Sequence, residues 1–185
     1  MIYLDKSSVI EKYPNQVAPT EIGHALELIT KALEKTTIYY KGNRRTPPSA
    51  LMLWAETRIK HNLSGLSNGV AVNLICRDKQ IKTIFPFINS NDRVDILIVL
   101  DWNNSKYTVA IEFDAGRADQ VSKKFVSRTS LLSGQNLIYV AYCYPGRKCM
   151  SLAEVKKYFC YMSTLSQIIN LVGFVGMAPP RNFHL

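Results

Sequence analysis

Two strand-like apolar runs, Asp95-Ile96-Leu97-Ile98-Val99-Leu100 and Ile111-Glu112-Phe113-Asp114, carry three carboxylates between them. Runs rich in Ile, Val and Leu settle in sheets with both faces covered. A carboxylate buried there without a partner is strongly unfavourable, so the fold must bring positive charge to the place where the runs meet. A divalent metal ion is the partner that best accounts for such a cluster. Around it the chain is basic, which points to a polyanionic substrate.

Side chains alternate along a strand, so Glu112 and Asp114 share one face while Ile111 and Phe113 take the other. A turn at Asn103-Asn104 sets Asp95 directly across from Glu112, and Asp101 across from Lys106 at the hairpin end. Directly opposed residues have their side-chain bases about 5 Å apart, close enough to share one cation. Oxygen-only ligands with no His or Cys nearby select a hard ion, Mg²⁺ or alternatively Mn²⁺. The metal ligands expected are therefore Asp95, Glu112 and Asp114. The helix expected next offers Arg117, Gln120, Lys123 and Lys124 in its early turns; Gln120, Lys124 and Arg128 recur every fourth residue as one stripe.

The charge distribution supports this reading. The net charge of the 185 residues is +9, which favours anionic partners. Between Asp92 and Asp119, however, six acids face three bases, a net of −3, whereas from residue 120 onward eight bases face one acid, a net of +7. An acidic island in a basic chain is what a metal site facing phosphate requires. The cysteines Cys76, Cys143, Cys149 and Cys160 show no CxxC spacing and read as buried free thiols of a reducing compartment. No signal pattern opens the chain and no apolar run reaches membrane-spanning length. The expectation is a cytoplasmic protein without a membrane partner.

Residues 1–18 read as an irregular arm, followed by a helix from Pro19 to about Lys35. Residues 39–48 (Tyr39, Tyr40, Arg44 and Arg45 among them) read as a basic, aromatic loop able to grip a nucleic-acid backbone and stack on bases. Ser49 caps a second helix to about Asn62. Val70–Cys76 and Ile81–Phe87 are two short strand candidates joined by Arg77-Asp78-Lys79-Gln80. Arg93–Leu100 and Tyr107–Phe113 are the stronger strands, then come a helix from Arg117 to Leu132, a nearly continuous apolar strand over Asn136–Tyr144, a helix from Leu152 to Leu171 and a loose tail. The order predicts an α/β fold with a mixed central sheet flanked by helices. Asp92, Asp101 and Asp119 read as turn or helix-start acids.

Asp95 followed by Glu112-x-Asp114, on a hairpin followed by helix and strand, resembles the PD-(D/E)XK, or restriction-endonuclease-like, nuclease superfamily. The resemblance covers residues from about Ser49 to Tyr144 and implies an αβββαβ core. By position, Asp95 matches the family's first metal-binding acid and Glu112 its second, while Glu56 on the preceding helix matches an accessory acid of some members. The motif's Lys is replaced here by Asp114. Some members place that Lys on the following helix, a role the resemblance gives to Lys123 or Lys124, with Gln120 similar to a Gln found there.

One domain is expected over 1–185, with the core at 49–144, an N-terminal arm and helix at 1–48 and a C-terminal helix and tail at 145–185. The expected function is a metal-dependent endonuclease hydrolysing DNA phosphodiesters, with catalytic residues Asp95, Glu112, Asp114, Lys124, Lys123, Gln120 and Glu56. The sequence does not separate DNA from RNA, and action on two strands fits a homodimer. The alternatives are a catalytically inactive nucleic-acid-binding module of nuclease-like fold and a protein-interaction domain.

Overall fold

The computed structural model describes residues 18–36, 48–66, 69–81, 92–115, 117–132, 134–144 and 150–178, and the backbone alone at 9–13, 40–41 and 44–45. Its frame is a six-stranded mixed sheet. In chain order the elements are β1 (Val9–Tyr13), α1 (Thr20–Glu34), β2 (Tyr40–Lys41), β3 (Arg44–Arg45), α2 (Pro48–Leu63), β4 (Ala71–Gln80), β5 (Arg93–Trp102), β6 (Ser105–Ala115), α3 (Ala118–Leu131), β7 (Asn136–Tyr144), α4 (Leu152–Ile168) and β8 (Gly173–Ala178). The sheet order is β1-β8-β7-β6-β5-β4, with β2 and β3 forming a separate small hairpin. β4, β5 and β6 are an antiparallel meander, β7 and β8 run parallel to β6, and β1 closes the edge antiparallel to β8. The segment from α2 to β7 thus follows the αβββαβ order, a mixed sheet flanked by helices as expected.

Helices cover both faces, which is why the central strands are apolar on both sides. On one face Ile22, Ile29 and Leu33 of α1 and Leu51, Ala55 and Ile59 of α2 pack on Ile96, Ile98, Ile111 and Val140. On the other, Val121 and Phe125 of α3 and Val155, Phe159 and Met162 of α4 pack on Leu97, Ala110, Tyr139 and Phe174. The Tyr142 hydroxyl ties the first layer down by donating to the Leu33 carbonyl at 3.3 Å. At the start of α4, Ser151 and Glu154 exchange backbone contacts as a capping box, satisfying donors that a helix start leaves open.

Several expectations are corrected. The arm contains β1, and the tail contains β8, whose six residues are all buried. Glycines ordinarily weaken a strand, but the Phe159 ring lies where a Cβ on Gly176 would stand, so close packing of α4 on β8 requires glycine there. Arg77–Gln80 is no connection: it continues β4, paired with β5 as far as Arg93. The second strand candidate lies almost wholly outside the described residues. The 39–48 loop includes the β2–β3 hairpin, and the side chains of Tyr39, Tyr40, Arg44 and Arg45 lie outside the described set. Pro48 is the first residue of α2, where its missing N–H costs nothing, so Ser49 lies inside the helix and does not cap it. Cys143 is buried as expected, whereas Cys160 is exposed. Among the described residues no helix is long and apolar enough to cross a membrane.

Candidate active site

The site begins with a two-residue turn. Asn103 and Asn104 take φ values of 47° and 60°, the left-handed pair that matches the twist of a tight hairpin and that Asn tolerates better than most residues. This turn sets the register of β5 on β6: Asp101 opposes Lys106, and the ladder runs back to Ile96 opposite Ile111. One step further, the Asp95 carboxylate takes over from the backbone, its Oδ2 accepting the Phe113 N–H at 2.8 Å. Asp95 and Glu112 are therefore neighbours at the end of the ladder.

Glu112 points to the face covered by α3 and is completely buried. Its neighbours in the sheet are small: Ala110 precedes it on the same face of β6, and Ala141 of β7 lies in register beside it. They leave room for side chains arriving from the helix. α3 is seated by Phe125, whose ring meets Tyr139 edge-on with centroids 4.9 Å apart. Lys124 precedes this anchor and Arg128 follows it, four residues apart and on one stripe.

The two cations divide the Glu112 carboxylate between them. Lys124 Nζ lies 2.9 Å from Oε2 as an ion pair. Arg128 Nε donates to Oε1 at 3.1 Å. The same Lys124 ammonium donates to Asp95 Oδ2 and to the Phe113 carbonyl, each at 3.1 Å. Arg128, itself buried, also pairs through Nη1 with Asp92 and donates to the Ser127 hydroxyl at 2.9 Å. Desolvation and then the nearby Asp95 carboxylate push Glu112 up to about 8, against the pull of Lys124. Burial works to lower Lys124, but Glu112 and Asp95 outweigh it and hold the ammonium above its ordinary value.

Among the expected site residues, Asp95, Glu112 and Lys124 are brought together. Asp114 is half-buried, its carboxyl raised chiefly by desolvation. Among the described residues no three His, Cys, Asp or Glu side chains form a group that could hold a metal, so Asp114 does not complete a triad with Asp95 and Glu112. The third oxygen at the Lys124 ammonium is the Phe113 carbonyl. Lys123 is exposed on the outer side of α3. Gln120 donates to Asp119 at 2.8 Å, and Asp119 is held by Arg117 through two bonds of 2.8 and 2.7 Å. Glu56 lies across the sheet, paired with Lys60 at 2.8 Å and with Arg77. It packs with the α2 layer, away from the other acids.

Sequence reading placed Arg128 on the α3 stripe facing the site but gave it no partner there, and read Asp92 only as a turn residue. The four-residue stripe on α3 was the available signal for Arg128. Nothing local marks Asp92, whose role depends on where the chain enters β5. Tyr139 is a third unassigned group: its hydroxyl is buried beneath the cluster and finds no hydrogen-bond partner among the described residues.

Comparison with protein-family models finds no match, and comparison with curated protein sequences finds none either. Among solved structures, the chain is similar to the crystal structure of free BglII, with a TM-score of 0.42 and 9% identity, covering 97% of this chain and 82% of that one. A likeness at that score bears on neither family nor activity, and the chemistry of the site rests on its own geometry.

Proposed function

We propose that this chain is a metal-dependent endonuclease that hydrolyses DNA phosphodiesters at Asp95 and Glu112. One observation carries the reading: Asp95 Oδ2, Glu112 Oε2 and the Phe113 carbonyl oxygen all lie within 3.1 Å of a single positive centre, Lys124 Nζ. Three hard oxygens converging on one cationic point form a donor set suited to Mg²⁺ or Mn²⁺. Asp95 and Glu112 would hold the ion, with the Phe113 carbonyl beside them. Bound there, such an ion supplies a water of lowered pKa and neutralises charge on a phosphoryl oxygen.

The chain's own residues do the rest. The Phe113 N–H holds the Asp95 carboxylate and the Arg128 guanidinium holds that of Glu112. Lys124 brings a positive charge on a flexible stem to the site from α3, the task of the Lys that Asp114 replaces in the E-x-K pattern. Placed beside the scissile phosphate, it would stabilise charge as the phosphorus becomes five-coordinate. α3 and α4 follow the C-terminal ends of β6 and β7, so their N-termini face the end of the sheet where Asp114 lies, and helix starts favour phosphate. The exposed Lys123, Lys156 and Lys157 add positive charge for a backbone.

The test is incubation of supercoiled plasmid with Mg²⁺, Mn²⁺ or EDTA. Metal-dependent nicking abolished by Glu112→Ala supports the enzyme. Nicking unchanged in that variant points to a contaminating nuclease. Salt-sensitive DNA binding without cleavage of any DNA or RNA form would identify a binding module instead.

A further inference from the structure

We propose that Arg128 determines which cation the site accepts, by restricting Glu112 to a single ligating oxygen; this rests on the metal-dependent reading of Asp95 and Glu112. Glu112 Oε1 is engaged by Arg128 Nε at 3.1 Å, while Oε2 alone lies with Asp95 Oδ2 around the Lys124 ammonium. The two oxygens are therefore not equivalent. Oε2 faces the ammonium position shared with Asp95, and Oε1 is held by Arg128.

The guanidinium is built to stay where it is. It is buried on the inner face of α3, and its Nη1 is fixed by Asp92 and by the Ser127 hydroxyl. Arginine stays charged and its planar fork holds direction, unlike a lysine ammonium. Lys124 sits on a flexible stem and can withdraw from Oε2, whereas Arg128 keeps Oε1 out of reach.

Carboxylate denticity bears directly on ion choice. Ca²⁺ takes six to eight oxygens in flexible geometry and readily accepts both oxygens of one carboxylate. Mg²⁺ and Mn²⁺ suit compact octahedral oxygen sets, in which one carboxylate oxygen fills one position. Holding Oε1 away thus disfavours the larger ion. Asp92, at the entry to β5, becomes a positioning residue acting through Arg128.

The experiment compares Mn²⁺ and Ca²⁺ affinities of the full chain by calorimetry, with thermal melting as the control for folding. In Arg128→Gln, which releases Oε1, the preference for Mn²⁺ over Ca²⁺ falls by about tenfold, the lower end of the effect typical of residues that orient metal ligands. Asp92→Asn shifts the preference the same way by a smaller factor. An unchanged ratio in folded Arg128→Gln overturns the proposal; should that variant not fold, an unchanged ratio in Asp92→Asn does so. Glu112→Gln tests the metal site itself. If the parent chain binds neither ion, or binds both as well after Glu112→Gln, the metal reading itself fails, whatever Arg128 does.

Discussion

Lys124 Nζ stands 2.9 Å from Glu112 Oε2, although the two residues belong to different elements. The contact exists because the chain leaves β6, turns at once into α3 and lays that helix back over the strand it has just left. Phe125 fixes the rotation of the helix by seating on Tyr139, and that rotation turns Lys124 toward the strand. Lys123 is turned outward by the same rotation.

This rotation separates the two lysines as catalytic candidates. Lys124→Met should lower plasmid cleavage by about a hundredfold, the size of loss seen when one aimed charge-stabilising group is removed. DNA binding, measured by anisotropy in EDTA, should change little, because one cation among many contributes modestly to a polyelectrolyte contact. Lys123→Met should leave the cleavage rate within about twofold. Equal losses in the two variants would mean that both lysines serve only to hold the backbone.

Glu112 makes stability depend on pH in an unusual direction for a carboxyl. Its folded value of about 8 lies above the ordinary 4.5, so the folded chain holds a proton that the unfolded chain releases. The resulting stabilisation is complete below pH 4.5 and is lost as pH rises through 8. In EDTA, the urea midpoint should fall between pH 5 and about 8, and Glu112→Gln should flatten that decline. Asp114, also raised, adds to the slope in the same sense. A midpoint that climbs over this range in the parent chain would contradict the burial argument.

What was legible in the sequence, and what was not, divides along a physical line. The β5–β6 register followed from local chemistry: two Asn residues able to take a left-handed turn fix every cross-strand neighbour up to the Asp95–Glu112 end. β7 was legible from its apolar run for the same local reason. β8 was not, because Gly173 and Gly176 lower its strand propensity and the compensation, the Phe159 ring, comes from another element. β1 depends wholly on β8 for its pairing. Glu56 was placed with the acids from its position on a helix, but α2 covers the opposite face. Arg128 and Asp92 meet only in three dimensions, which no spacing within β5 or α3 encodes.

Gly176 offers a direct check on this packing. A methyl group there would collide with the Phe159 ring of α4, which is itself fully buried against Phe174. Gly176→Ala should therefore cost about 1–3 kcal/mol in urea unfolding, the usual range for overpacking a filled core. Combining it with Phe159→Leu should recover part of the loss, since the smaller side chain vacates the position. Additive losses in the double variant would show that the glycine is needed for some other reason.

Tyr139 supplies the remaining prediction, because its hydroxyl is fully buried and finds no hydrogen-bond partner among the described residues. Burial pushes that phenol well above its ordinary value, with Glu112 adding to the shift, so it stays neutral across the working pH range. A buried polar atom without a partner is a net cost of about 1–3 kcal/mol, while the ring beneath it is needed to seat Phe125. Tyr139→Phe keeps the ring and removes the oxygen, so the melting temperature should stay level or rise. Tyr139→Ala removes the seat of α3 and should lower it steeply, by about 3–5 kcal/mol of unfolding free energy. A clear loss of stability in Tyr139→Phe would mean that the hydroxyl makes a bond in solution, with Glu112 and Arg128, whose charges act on the phenol, as the candidate partners.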